Sequence, residues 1–219
     1  MIEAAIFDVD ELLVSLEPQH KRAERLLVAE FSHDYDDLPQ AIRTISGRRV
    51  QEVVAEIHDH FGWTQPVDEV YARRQELFMA LVAESEFAPM PGAARTVGLL
   101  RDADYPLAIA SSGARAYLEI VLGRLALRDA FGALVSGEDV THGKPDPEPY
   151  LLAARRLAVS PARCVVFEDA AVGVQSAKAA GMACIGVPNP AALRRQDLSP
   201  ADLVLPSLER FELSLLDAL

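Results

Sequence analysis

Cysteine and positive charge are both scarce in these 219 residues: Cys occurs 2 times, and 21 Lys and Arg stand against 33 Asp and Glu. The resulting formal net charge of -12 repels nucleic-acid backbones and anionic membranes, so neither is expected as a partner. A small anionic substrate remains compatible if a metal and local positive charge receive it. No apolar run is long enough to span a bilayer. Met1 leads almost directly into an apolar run, so no signal peptide is expected. Cys164 and Cys184 each open an apolar run and lie far apart. They are expected to be reduced core residues, in keeping with a cytoplasmic protein. Internal repeats and low-complexity tracts are absent, as are a Gly-x-Ser-x-Gly elbow and a Gly-x-Gly-x-x-Gly turn after a strand. Gly137 to Lys144 has one residue too many between its glycines for a P-loop, and Pro145 stands where Ser or Thr would hold Mg²⁺.

Half the chain is apolar, 50%, enough for a buried core with a smaller insertion. Apolar, β-branched runs recur at Ala4–Phe7, Leu107–Ala110, Ala133–Val135, Cys164–Phe167, Ala183–Val187 and Leu203–Leu205. Helical patterns separate them, for example over Tyr117–Leu127 and Pro147–Ala158. Strand and helix in alternation predict an α/β fold, a Rossmann-like parallel sheet sandwiched by helices. Asp146 and Pro147 form a helix-entry signal, and Gly181 a stop. Residues 18–86 carry no strand signal. Val50, Val53, Val54, Ile57 and Phe61 share one helical face, Leu77, Phe78, Leu81 and Val82 suit a second helix, and Leu26 and Leu27 a third. The expected organisation is therefore a core of residues 1–14 and 89–219, interrupted by an all-helical domain over 15–88. Asp34–Asp37 reads as a solvated loop, and Trp63 as core of the insertion.

Four features at strand ends carry chemistry. Asp8 and Asp10 close the first run, a place where buried carboxylates need partners and where open α/β sheets bind ligands. Ser111, Ser112 and Gly113 stand between a strand and a helix, where hydroxyls and amides bind phosphate oxygens. Lys144 can neutralise a phosphoryl group and a neighbouring carboxylate. Glu168 and Asp169 follow the fourth run, and hard oxygen ligands from two strand ends suit Mg²⁺. Taken singly, each has a plainer reading as a cap, a turn or a surface lysine; their order and shared placement argue for a joint role.

Phe7-Asp8-Val9-Asp10, Ser111, Lys144 in Gly-Lys-Pro-Asp-Pro, and Glu168-Asp169 within the run 167–182 together resemble the haloacid dehalogenase superfamily, over nearly the whole chain. The last two segments resemble its phosphatase and β-phosphoglucomutase-like branch, whose helical cap is inserted after the first motif. The resemblance implies Asp8 as nucleophile and Asp10 as acid/base. It implies Mg²⁺ on Asp8, the Asp10 carbonyl and Asp169, with Glu168 direct or through water, and Ser111 and Lys144 on the phosphoryl oxygens. Dehalogenation itself is not expected, since it needs neither Asp10 nor a metal. The chain departs from the pattern at Glu11-Leu12, where the family usually has Gly-Thr or Gly-Val, and at Ser15-Leu16, where it usually has Asp-Ser or Asp-Thr. Glu11 pointing inward would weaken substrate binding or compete for metal; pointing to solvent it would matter little.

In the cap, His20 matches a histidine that follows the family's first motif; the alternative is a helix-surface residue. Gly47, Arg48 and Arg49 resemble the cap's substrate loop, and Arg74 falls near a substrate-orienting lysine, against which stands a solvated helix face for Arg73 and Arg74. His58 and His60 lack the spacing of a zinc pair. The expected function is Mg²⁺-dependent hydrolysis of a small phosphorylated metabolite, most simply a sugar phosphate, by a cytoplasmic monomer or weak homo-oligomer whose cap closes by hinge motion. A β-phosphoglucomutase-type isomerase and a non-catalytic phosphate-binding protein are the alternatives.

Overall fold

The computed structural model describes residues 1–43, 50–189 and 197–219. The chain divides into two compact units, Met1–Ser15 with Ala88–Leu219, and Leu16–Phe87. The first unit is built on β1 (Ala4–Phe7), β2 (Leu107–Ala110), β3 (Ala133–Val135), β4 (Cys164–Glu168), β5 (Ala183–Gly186) and β6 (Leu203–Val204). These form one sheet in the order β3-β2-β1-β4-β5-β6, every pair parallel. Every residue of β1, β2, β3 and β4 is buried, which is why these strands read as unbroken apolar runs rather than alternating ones. Helices α4 (Ala93–Asp102), α5 (Arg115–Arg124), α6 (Glu148–Leu157) and α7 (Ala171–Ala179) connect them.

Residues of α6 and α7 (Tyr150, Ala153, Ala154, Val174 and Ala177) pack against the sheet face that carries Ala4, Ile6, Ala108, Ala110 and Val166. Phe7 and Phe167, partners in register, turn the other way and stack with ring centroids 4.5 Å apart. Phe131 and Phe211 meet them edge-on at 5.9 and 5.2 Å. Cys164 and Cys184 are free and buried.

The second unit is helical among its described residues: α1 (Glu17–Glu30), α2 (Val50–Phe61) and α3 (Val67–Glu84), with a short turn at Tyr35–Asp37. Its core gathers Leu27, Val28, Tyr35, Leu38, Val53, Val54, Ile57, Trp63 and Val70. No helix among the described residues is long and apolar enough to cross a membrane.

Three local expectations are corrected. Glu168 is the last residue of β4, not the first residue after it; it pairs with Gly186, and its carboxylate tolerates the strand because protein donors engage it. Helix α6 starts at Glu148, with Pro147 at its cap and the Asp146 carboxylate accepting from the Glu148 N–H at 2.9 Å. The acidic run at 34–37 is more than a solvated loop: Tyr35 is buried and its hydroxyl donates to Glu24 Oε2 at 2.9 Å. The expected stop at Gly181 is present, with φ of 72° and the Met182 N–H donating back to Ala177 at 3.1 Å.

Candidate active site

Three neighbouring strands, β2, β1 and β4, end at one edge of the sheet, and the sequence places its polar residues there. The Asp8 N–H still donates to the Phe167 carbonyl at 3.1 Å, so Asp8 prolongs β1 by one residue and its side chain leaves the sheet at the strand ends. The chain then curls tightly. The Val9 carbonyl accepts from the N–H groups of Leu13 and Val14 at 2.9 and 3.2 Å, and the Glu11 N–H donates to Val14 at 2.7 Å. Next door, the Ser111 N–H donates to the Val135 carbonyl at 3.0 Å. The Ser111 hydroxyl oxygen accepts from the Gly113 N–H at 3.0 Å and keeps its own proton to donate. Ser112 is exposed and Gly113 half-buried, just ahead of α5.

Lys144 lies between two carboxylates. Its Nζ donates to Asp8 Oδ1 and to Glu168 Oε1, each at 2.6 Å, with only 6% of the side chain exposed. Glu168 Oε1 also accepts from the Tyr150 hydroxyl at 2.6 Å, and Oε2 from the Ala170 N–H at 3.0 Å. A carboxylate oxygen has two lone pairs, so Oε2 can still face a cation. Gly173 completes this cradle: a Cβ there would collide with the Glu168 carboxylate. Asp8, Glu168 and Asp169 are all buried and offer ligand oxygens within 4.8 Å of one another.

The electrostatics follow from burial. Desolvation pushes Asp8 up to about 7 against the pull of Lys144, with Glu168 and Asp10 adding to the rise. Asp169 is raised well above the ordinary carboxylate range, by burial first and then by Glu168 and Asp8. Burial alone would lower Lys144, but the carboxylates of Asp8 and Glu168 outweigh it and hold the ammonium charged. Three buried carboxylates facing one ammonium leave two negative charges in excess when all are ionised. Such an excess is unstable without a further cation. A buried set of hard oxygen donors beside the Lys144 ammonium fits Mg²⁺.

Asp10 is the partly exposed member of the group. The Tyr117 hydroxyl donates to its Oδ1. Burial and the neighbouring Asp10 push that phenol well above its ordinary value, so it keeps its proton. Glu11, which departs from the family pattern, is buried with φ of 63°. Its Oε1 accepts from the Ser15 hydroxyl at 3.2 Å and its Oε2 from the Asn189 side-chain amide. The carboxylate is thus tied to Ser15 and Asn189 and does not point to solvent.

The expected cap residues fare differently. Gly47, Arg48 and Arg49 lie outside the described residues. Arg74 is not on a solvated face: it is fully buried in its own unit, 3.7 Å from the equally buried Glu24. Its Nη2 is 2.6 Å from His20 Nδ1, and its guanidinium lies over the Phe78 ring at 4.9 Å. His20 in turn stacks on Phe78 at 4.1 Å, so it is no freely solvated histidine. Arg73 does face solvent, paired with Glu30 and Glu76. Tyr117, Tyr150 and Asn189 went unmarked in the sequence. Tyr150 sits in the apolar pattern of α6, and only the Gly113 four residues before Tyr117 hints that a ring needs room there.

A family model described as haloacid dehalogenase-like hydrolase matches residues 2–181. Hexitol phosphatase B of Escherichia coli (strain K12) is 36% identical over 211 residues, 94% of this chain and 93% of that protein. Validoxylamine A 7'-phosphate phosphatase of Streptomyces hygroscopicus subsp. limoneus is 32% identical over 208 residues, 95% of each. Among solved structures, CbbY from Rhodobacter sphaeroides in complex with phosphate superposes with a TM-score of 0.86 at 30% identity, over 99% of this chain and 100% of that one. The chain belongs to the haloacid dehalogenase-like hydrolases, in their phosphatase and β-phosphoglucomutase-like branch.

Proposed function

We propose that this enzyme hydrolyses small phosphate monoesters, sugar phosphates foremost, with Mg²⁺ and through an aspartyl phosphate. The observation that carries this reading is the buried set of Asp8, Glu168 and Asp169 with Lys144 wedged between Asp8 and Glu168. Asp8, the Asp10 backbone carbonyl, Glu168 and Asp169 would hold Mg²⁺, which when bound supplies positive charge opposite the phosphoryl oxygens. Lys144 and the Ser111 hydroxyl donate to those oxygens, the principal electrostatic task in phosphoryl transfer. The Asp8 carboxylate attacks phosphorus, and the bond to the leaving oxygen breaks. Asp10 gives its proton to that oxygen, then takes one from the water that hydrolyses the acyl phosphate and frees Asp8. The phosphatase names of two relatives support the same reaction class.

The test is a panel of glucose 6-phosphate, fructose 1-phosphate and sorbitol 6-phosphate, assayed for inorganic phosphate with Mg²⁺ and with chelator. Release that needs Mg²⁺ and is lost in Asp8→Asn, with the thermal melt retained, is the expected result. Wild-type-like turnover by Asp8→Asn would refute the nucleophile. Interconversion of sugar phosphates without net release, dependent on a bisphosphate, would instead make the enzyme an isomerase.

A further inference from the structure

Of the six chemical side chains, five are almost entirely buried. Asp8, Ser111, Glu168 and Asp169 are buried, and Lys144 is pinned at both ends of its ammonium. Asp10 is different. It stands partly exposed in the loop after β1, yet acid–base chemistry demands a carboxyl aimed at one oxygen of the substrate. Something must aim it.

Tyr117 has the right placement. It lies in the first turn of α5, is 3% exposed, and its hydroxyl reaches Asp10 Oδ1. Its ring lies on the phosphate-side loop: a Cβ on Gly113 would meet Tyr117 Cδ1 at 2.7 Å and Cε1 at 2.9 Å. Gly113 is itself fixed, donating through its N–H to Ser111 Oγ and accepting at its carbonyl from the Gly137 N–H, both at 3.0 Å. One rigid side chain therefore spans from the loop that would grip phosphate to the carboxyl that would protonate the leaving group.

We propose that Tyr117 is a positioning residue of Asp10, fixing its carboxyl relative to the Ser111–Gly113 loop. The inference rests on the acid/base reading of Asp10 given above. The proton delivered to the leaving oxygen is carried on the Asp10 carboxyl that Tyr117 holds through Oδ1. As the Asp8–phosphorus bond forms and the phosphorus–oxygen bond to the leaving group breaks, that proton moves from the carboxyl to the departing oxygen, leaving Asp10 ionised for the hydrolytic half. Gly113 and Tyr117 form a matched pair, since only a residue without Cβ admits the ring.

Tyr117→Phe keeps the ring on Gly113 and removes the hydroxyl. The experiment compares kcat/KM, which reports the first, leaving-group step, for two substrates: the fastest sugar phosphate of the panel above, and p-nitrophenyl phosphate, whose anion departs without a proton. The ratio of the two values, sugar phosphate over p-nitrophenyl phosphate, is expected to fall about tenfold or more, within the roughly 10²–10⁴ that general acid catalysis contributes. Asp10→Asn is run beside it. An unchanged ratio in Tyr117→Phe while Asp10→Asn loses the sugar phosphate selectively overturns the role of Tyr117 alone. If Asp10→Asn leaves the ratio unchanged as well, the acid/base assignment of Asp10 fails first and takes this inference with it. A loss equal for both substrates in Tyr117→Phe, at an unchanged ratio, marks general damage and also overturns it. Circular dichroism melts of the variant establish that it is folded when assayed.

Discussion

Arg74→Met removes a guanidinium from a cluster in which it and its partner Glu24 are both fully buried. Burial raises Glu24 from 4.5 to about 7, with Arg74, the Tyr35 hydrogen bond and Lys21 pulling the other way. The native state therefore holds the Glu24 proton more tightly than the unfolded chain. Wild-type stability from this group is full below about pH 4.5, declines as pH climbs toward about 7, and then levels off. The decline amounts to about 3 kcal/mol, at roughly 1.4 kcal/mol per pH unit between the two values. Without Arg74 the largest opposing influence is gone, the folded value moves higher still, and the decline continues past neutrality. Truncating one partner of a buried pair costs about 3–5 kcal/mol when the other stays charged. Met keeps much of the aliphatic length against Phe78, so packing loss is small. The loss in Arg74→Met is thus expected to be larger near pH 8.5 than near pH 5.5, where Glu24 is protonated in both proteins, by up to about 2 kcal/mol, roughly 1.4 kcal/mol for each pH unit above the wild-type value of about 7. Urea unfolding at the two pH values, analysed with a common m-value, reads this difference. Equal destabilisation at both would refute the view that Glu24 and Arg74 hold each other as a buried ion pair.

Gly173→Ala drives a methyl into the Glu168 carboxylate; a stability loss of about 1–3 kcal/mol is expected from the overpacking, together with a fall in kcat of at least about a hundredfold as Lys144 is displaced, both read from melts and phosphate release. Mg²⁺ at about 100 times its dissociation constant should add about 2.7 kcal/mol to stability. Because burial raises Asp8 to about 7, protons compete at that oxygen, so the Mg²⁺-induced rise in Tm should be smaller near pH 6 than near pH 8; a larger shift at the lower pH would contradict the assignment of Asp8 as a ligand. Gly92→Ala places a Cβ into the Glu209 backbone at a residue with φ of 83°; a loss of about 2 kcal/mol or more is expected, measured by denaturant unfolding.

Strands β1 to β4 were legible because a parallel strand buried on both faces is a short apolar run. The gathering of the candidate residues was legible in part because Asp8, Ser111 and Asp169 follow such runs directly, and Lys144 precedes a helix with its own entry signal. What the sequence concealed depends on partners distant along the chain. A buried Arg74 and a solvated Arg73 look alike until Glu24 and Glu30 are brought beside them. Tyr150 obeys the apolar spacing of α6, and nothing local says that its hydroxyl ends on Glu168. Whether Glu11 turns inward or outward was undecidable without Asn189, whose amide settles it from 178 positions away.

The position of β1 bears on how the chain is made. It lies mid-sheet, hydrogen-bonded to β2 on one side and β4 on the other, although it leaves the ribosome before either neighbour. At about 5–20 residues per second, the stretch from Phe7 to Glu168 takes roughly 8 to 30 s to synthesise. Throughout that interval one or both flanks of Ala4–Phe7 lack their native strand, the condition under which a nascent apolar β-segment is open to chaperones and to pairing with another copy.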